Sequence, residues 1–175
     1  MAMSVLEKFK SIRTFVFDVD GVMTDGSVQV FENGEQVRRM STRDGYSLQL
    51  AVRQGYGVVV ISGALSEGVR QRLHYLGIKD IFLDIHDKVA VLRKYVADHA
   101  LEADEMLYMG DDIPDFHPMQ YVGLACAPAD AAPEIRHIAA YISSFNGGHG
   151  CVRDVIEKVL KLNGHWDLNT IVASK

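Results

Sequence analysis

Six short runs rich in β-branched, aromatic and other apolar residues recur along the chain: residues 12–18, 56–62, 80–84, 105–110, 122–126 and 139–143. Apolar residues fill successive positions in these runs instead of alternate ones. A strand reads that way when both of its faces are covered. Helical stretches lie between and after them, near 44–54, 65–76, 87–100, 115–121 and 151–162. Strands of this kind separated by helices predict a parallel sheet with helices on both faces. Right-handed crossovers then make it a doubly wound α/β sandwich.

One segment departs from the alternation. Residues 27–31 and 35–40 are β-prone and flank Glu32-Asn33-Gly34, and Asn-Gly in that setting signals a hairpin. The expected organisation is a single domain over 1–175 with a hairpin insertion at 27–40, and a tail from about 163 to 175 expected to be mobile. The net charge is −5, with Lys and Arg scattered, so no basic face points to nucleic acid. No apolar run approaches the roughly 18–20 residues that span a bilayer, and the N-terminus lacks a signal-peptide pattern. Cys126 and Cys151 allow one disulfide, but a reduced pair is the preferred reading. The expectation is a cytoplasmic protein that binds neither membrane nor nucleic acid.

The chemistry gathers at strand ends, where open parallel sheets bind ligands. Asp18-Val19-Asp20-Gly21 follows the first run directly. Two carboxylates so close call for a cation or a proton between them, and Mg²⁺ is the natural hard cation for oxygen ligands. Ser62-Gly63 ends the second run, and a hydroxyl with a glycine amide there suits a phosphoryl oxygen. By itself Ser-Gly is only a turn. Lys88 opens a helix, against the macrodipole preference, which suggests a nearby anion or carboxylate cluster; the bland alternative is an exposed lysine. Gly110-Asp111-Asp112-Ile113-Pro114-Asp115 is a second acidic cluster, more carboxylates than helix capping needs.

These four motifs, in this order, resemble the haloacid dehalogenase (HAD) superfamily of phosphotransferases, whose fold is a Rossmann-like sheet sandwiched by helices. The resemblance implies that Asp18 is the nucleophile and Asp20 the general acid and base. It implies that Ser62 and Lys88 hold the phosphoryl group. Mg²⁺ would be bound by Asp18, the Asp20 backbone carbonyl and Asp111, with Asp112 and Asp115 behind them. Only 43 residues separate Asp18 from Ser62, too few for a large cap domain besides the hairpin, so a capless member is expected.

With residues 41–46 (STRDGY) and 147–154 (GGHGCVRD), the pattern looks like the 3-deoxy-D-manno-octulosonate 8-phosphate (KDO 8-phosphate) phosphatase group. That resemblance implies a homotetramer and a phosphorylated 2-keto-3-deoxy sugar acid as substrate. It places Arg43, Asp44, Gly45, Gly63 and Arg72 at the substrate site, along with Ser62 and Lys88. For Arg43 and Arg72, surface charge is the competing reading. Ala64 departs from the group, which commonly carries Arg there, and from relatives acting on nonulosonate 9-phosphates, which carry an acid. The alternative substrate is therefore a nonulosonate 9-phosphate (KDN or sialic acid). From another class, a receiver-type signalling domain uses a similar Asp, acidic pair, Lys and Mg²⁺, but lacks an acid two residues after its phospho-acceptor. Asp20 favours turnover.

Overall fold

The computed structural model describes residues 3–167. Its framework is a six-stranded, all-parallel sheet in the order β5-β4-β1-β6-β7-β8. The strands are β1 (Thr14–Phe17), β4 (Gly57–Ile61), β5 (Asp80–Phe82), β6 (Met106–Met109), β7 (Leu124–Ala127) and β8 (Tyr141–Ile142). β2 (Gln29–Val30) and β3 (Gln36–Val37) form a separate antiparallel ribbon. The helices are α1 (Val5–Ser11), α2 (Thr42–Arg53), α3 (Glu67–Tyr75), α4 (Lys88–Asp98), α5 (Phe116–Tyr121), α6 (Pro133–Ile138) and α7 (Cys151–Leu162).

Both faces of the sheet are indeed covered. Phe15 and Phe17 enter one core layer with Val58, Val60, Leu107 and Met109, while Val16 enters the other with Val59, Ile61 and Tyr108. Successive residues of a strand point to opposite faces, which is why the runs read as continuous apolar segments. Burying one such Val or Phe side chain fully contributes roughly 1.5–3 kcal/mol. α7 closes the first layer with Val152, Val155, Ile156, Val159 and Leu160, a helical stripe buried against α2 and α1.

Local chemistry sets the helix starts. Ser41, Ser66 and Asp87 cap α2, α3 and α4 by accepting the amides of Asp44, Val69 and Ala90. α1, with its Ser4–Glu7 capping box, and α6, begun by Pro133, are helices beyond those read from periodicity. They are only 7 and 6 residues long, too short for a periodic stripe to stand out. The hairpin turns at Gly34, but each of its strands is only two residues long.

The chain moves outward from β1 through β4 to β5, then returns across β1 to β6. The carboxyl end of β1 is thus the topological switch point, where a crevice opens in folds of this kind. Cys126 and Cys151 are both free and buried. Residues 163–167 pack on the body: Tyr56 Oη and His165 Nδ1 are 2.9 Å apart, and Trp166 lies edge-on to Tyr46. The rest of the segment from 163 to 175 lies outside the described residues.

Candidate active site

Asp18 is the first residue past β1 and is only 8% exposed. The loop that follows is held by its own backbone. The amides of Val22, Met23 and Thr24 all donate to the Val19 carbonyl. The Thr24 hydroxyl accepts the amides of Gly21 and Gly26 and reaches Asp20 Oδ1 at 3.4 Å. Gly21 has φ +83°, and a Cβ there would sit 1.9 Å from Asp111 Oδ2. Only glycine lets the acidic cluster after β6 approach the loop after β1 so closely. The Gly147–Gly150 loop packs underneath: a Cβ on Gly147 would meet the Gly21 carbonyl oxygen at 2.0 Å.

Lys88 crosses from the start of α4 into this cluster. Its Nζ is 2.9 Å from Asp18 Oδ2 and 2.8 Å from Asp115 Oδ1. Asp115 is fully buried, and both its oxygens are engaged. Oδ1 also accepts the Tyr108 hydroxyl at 2.7 Å, and Oδ2 accepts the Asp111 amide at 3.1 Å. Asp115 is therefore the anchor of Lys88 and of the β6 loop. Lys88 is no exposed lysine; it is 5% exposed.

The charges do not balance locally. Burial raises the Asp18 pKa to about 8, with the Asp115 charge adding to it and Lys88 opposing it. Burial and the charges of Asp115 and Asp112 raise Asp111 to about 7. Burial works to lower the Lys88 pKa, but Asp18 and Asp115 outweigh it, so Lys88 is held in its charged form. Carboxylate oxygens of Asp18, Asp111 and Asp115 come within 4.8 Å of one another. With Asp115 already spent, Asp18 and Asp111 are the side chains left to face a cation. An excess of buried carboxylate over ammonium, with oxygen donors only, suits a hard divalent ion.

These groups line a cavity of about 430 Å³ that takes in Asp18, Asp20, Ser62, Gly63, Lys88 and Asp111. Ser62 is buried and its Oγ accepts the Ala64 amide at 3.3 Å. Ala64 and Asp112 also border the cavity, and Asp112 Oδ1 accepts the Ile113 amide. The other sequence-derived candidates lie elsewhere. Arg72 borders a separate groove of about 840 Å³ between the hairpin and α3. Gly45 packs beneath it, since a Cβ there would be 2.9 Å from Arg72 Nη2. Arg43 is exposed on the first turn of α2. Asp44 is buried and accepts the Arg153 amide at 2.8 Å, which caps α7 from a distance.

Two residues that contact this cluster are not singled out by the sequence. Tyr108 hides inside an apolar strand, although a hydroxyl in such a run must find a partner. Arg38, on the hairpin, forms a bidentate pair with Asp20: Nε to Oδ1 at 2.7 Å and Nη2 to Oδ2 at 3.1 Å. No local pattern announces it beyond two adjacent arginines after a hairpin strand.

A parallel sheet carrying a buried Asp at its switch point, a second Asp two residues on, a buried Lys and a distal acidic cluster defines a HAD-superfamily phosphotransferase. In agreement, a HAD-superfamily subfamily III A hydrolase from Legionella pneumophila superposes with a TM-score of 0.89 at 32% identity, over 91% of this chain and 88% of that one. The comparisons narrow the class. The chain is 33% identical over 163 residues to the 3-deoxy-D-manno-octulosonate 8-phosphate phosphatase KdsC of Escherichia coli K12, covering 93% of this chain and 87% of that protein. The crystal structure of the Yersinia pestis phosphatase of the same name gives a TM-score of 0.90 at 31% identity, over 94% of this chain and 89% of that one. The Moraxella catarrhalis enzyme, solved with magnesium, phosphate and KDO, gives 0.87 at 30% identity, over 90% of each chain. No family model matches. The chain belongs to the KDO 8-phosphate phosphatase family.

Proposed function

We propose that this chain hydrolyses KDO 8-phosphate to KDO and phosphate, through an aspartyl-phosphate intermediate on Asp18 and with Mg²⁺ as cofactor. The observation that carries the reading is the buried Asp18–Lys88 pair at 2.9 Å within the Asp18, Asp111 and Asp115 triad. The Moraxella relative bound to magnesium, phosphate and KDO supports both substrate and ion.

Asp18 and Asp111, with the Asp20 carbonyl, would hold the Mg²⁺. A dication there supplies charge that offsets the repulsion between an anionic nucleophile and an anionic phosphate. Lys88 adds a fixed positive charge and is aimed by Asp115 and Tyr108. Asp18 attacks phosphorus, and the bond from phosphorus to the sugar oxygen breaks. Asp20 gives its proton to that leaving oxygen. In the second half, Asp20 takes a proton from water, whose oxygen attacks the aspartyl phosphate and releases phosphate with Asp18 as carboxylate. Ser62 Oγ and the Gly63 amide hold a phosphoryl oxygen. The spacing from Asp18 to Asp20 favours this turnover over a lasting phosphoryl switch of receiver type.

For the sugar acid, Ala64 offers the cavity no charge, so selectivity for KDO over a nonulosonate rests on other residues, with Arg43 and Arg72 the candidates. We place the enzyme in the cytoplasm as a homotetramer. Among the described residues no helix is long and apolar enough to cross a membrane. The hairpin exposes Val30, Phe31 and Val37, an apolar ribbon suited to a neighbouring subunit.

Purified protein assayed with Mg²⁺ against KDO 8-phosphate, a nonulosonate 9-phosphate and hexose phosphates tests the reading. Preference for KDO 8-phosphate, lost on chelation and in Asp18→Asn, is expected. Unchanged phosphate release by Asp18→Asn would refute the mechanism, and equal rates on hexose phosphates would refute the substrate. Native mass measurement tests the tetramer.

A further inference from the structure

Arg38 sits at the wall between the two cavities. It borders the larger groove with Gln36, Val37 and Arg72, yet its guanidinium turns into the acidic site and grips both oxygens of Asp20. Its side chain is 4% exposed, while that of Asp20 is 30% exposed. Gln36 Oε1, on the same hairpin, lies 3.5 Å from Arg38 Nη2. The rest of the hairpin is largely exposed, and its exposed Arg39 pairs with the half-buried Asp25 at 3.2 Å.

A planar bidentate pair fixes both the position and the rotation of a carboxylate, which a single hydrogen bond does not. Among the described residues, the Asp20 side chain has one other hydrogen bond, from the Thr24 hydroxyl at 3.4 Å. The aim of this carboxylate therefore depends on a residue delivered by the hairpin. We propose that Arg38 is a positioning residue for Asp20, holding it as the carboxylate that takes the proton from water in the second half of the reaction, so that the hairpin must be seated on the body before the aspartyl phosphate is hydrolysed efficiently. This rests on the acid–base reading of Asp20. It gives the insertion after β1 a part in the chemistry itself, beyond covering the site.

Arg38→Met, Arg38→Lys, Asp20→Asn and the double variant Asp20→Asn/Arg38→Met would be assayed with KDO 8-phosphate and Mg²⁺, with thermal melting as the folding control. Arg38→Met is expected to lower kcat about 10–100-fold with KM changed less than about 3-fold, because proton transfer is affected more than ground-state binding. The double variant should be no slower than Asp20→Asn, since Arg38 acts only through that carboxylate. Arg38→Lys, which keeps the charge without the fork, should recover part of the loss. If Arg38→Met fails to fold, Arg38→Lys against Asp20→Asn/Arg38→Lys completes the same cycle. Multiplying losses in the double variant, or a loss confined to KM, would overturn the proposal. Full activity of Asp20→Asn would instead show that the acid–base reading had failed, and the proposal would fall with it.

Discussion

Replacing Gly21 by Ala tests the join between the two halves of the site. The residue has φ +83°, and forcing an L-residue into that left-handed region costs roughly 1–2 kcal/mol. The added methyl would also lie 1.9 Å from Asp111 Oδ2 and 2.3 Å from its Cγ. An ordinary van der Waals separation is about 3.5 Å, so the carboxylate must retreat by roughly 1.5 Å. Asp111 can do so by rotating its short side chain, so the protein should still fold. The displaced group is one of the two side chains we propose hold Mg²⁺, however, and a misplacement of about 1 Å at a reacting centre can lose about 100-fold in rate. The expected outcome is a modest fall in melting temperature, a weakened Mg²⁺ requirement curve and at least about a 100-fold loss of kcat/KM. Magnesium titration of phosphate release reads the second and third, and thermal melting the first. In an Asp111→Ala background the same change should lose only the backbone strain. Mg²⁺ activation of Gly21→Ala matching the parent protein would refute the argument that this glycine exists to let Asp111 approach.

Lys88→Met leaves Asp18 and Asp115 facing each other without their shared ammonium; breaking a buried pair costs about 3–5 kcal/mol, so chemical denaturation should show a large stability loss together with loss of turnover. Tyr108→Phe removes the 2.7 Å hydrogen bond to Asp115 and should cost about 1.5–3 kcal/mol, as for bonds to charged groups; no change in stability would mean that Asp115 is satisfied without it. Asp44→Asn keeps an acceptor for the Arg153 amide but removes a carboxyl whose pKa is raised by burial, and whose Oδ2 makes no well-formed hydrogen bond although Ser41 and Arg153 favour its charge. A raised acid pKa means stability is complete below the unfolded value of about 3.9 and declines as pH rises through the folded one; the melting temperature of Asp44→Asn minus that of the parent should therefore grow from pH 4 to pH 8, and a flat difference would contradict it.

The sequence by itself determined the covered parallel sheet and the order of its motifs. Continuous apolar runs, caps and an Asn-Gly turn are local signals, and the chemistry at strand ends follows from the architecture they predict. That Asp18, Ser62, Lys88 and Asp111 would meet at one cavity could be read in advance because a parallel sheet brings the carboxyl ends of its strands to one edge. Their shared location needed no knowledge of side-chain rotamers. The tertiary structure alone decided who holds whom. Asp115 stood among three similar aspartates, and only its burial between Lys88, Tyr108 and the Asp111 amide makes it the anchor. Asp44 capping α7, Arg72 facing the other groove, and Arg38 reaching Asp20 from the hairpin follow from how distant segments dock. Such pairings depend on the direction and reach of side chains across elements remote in sequence, and neither periodicity nor spacing along the chain carries that information.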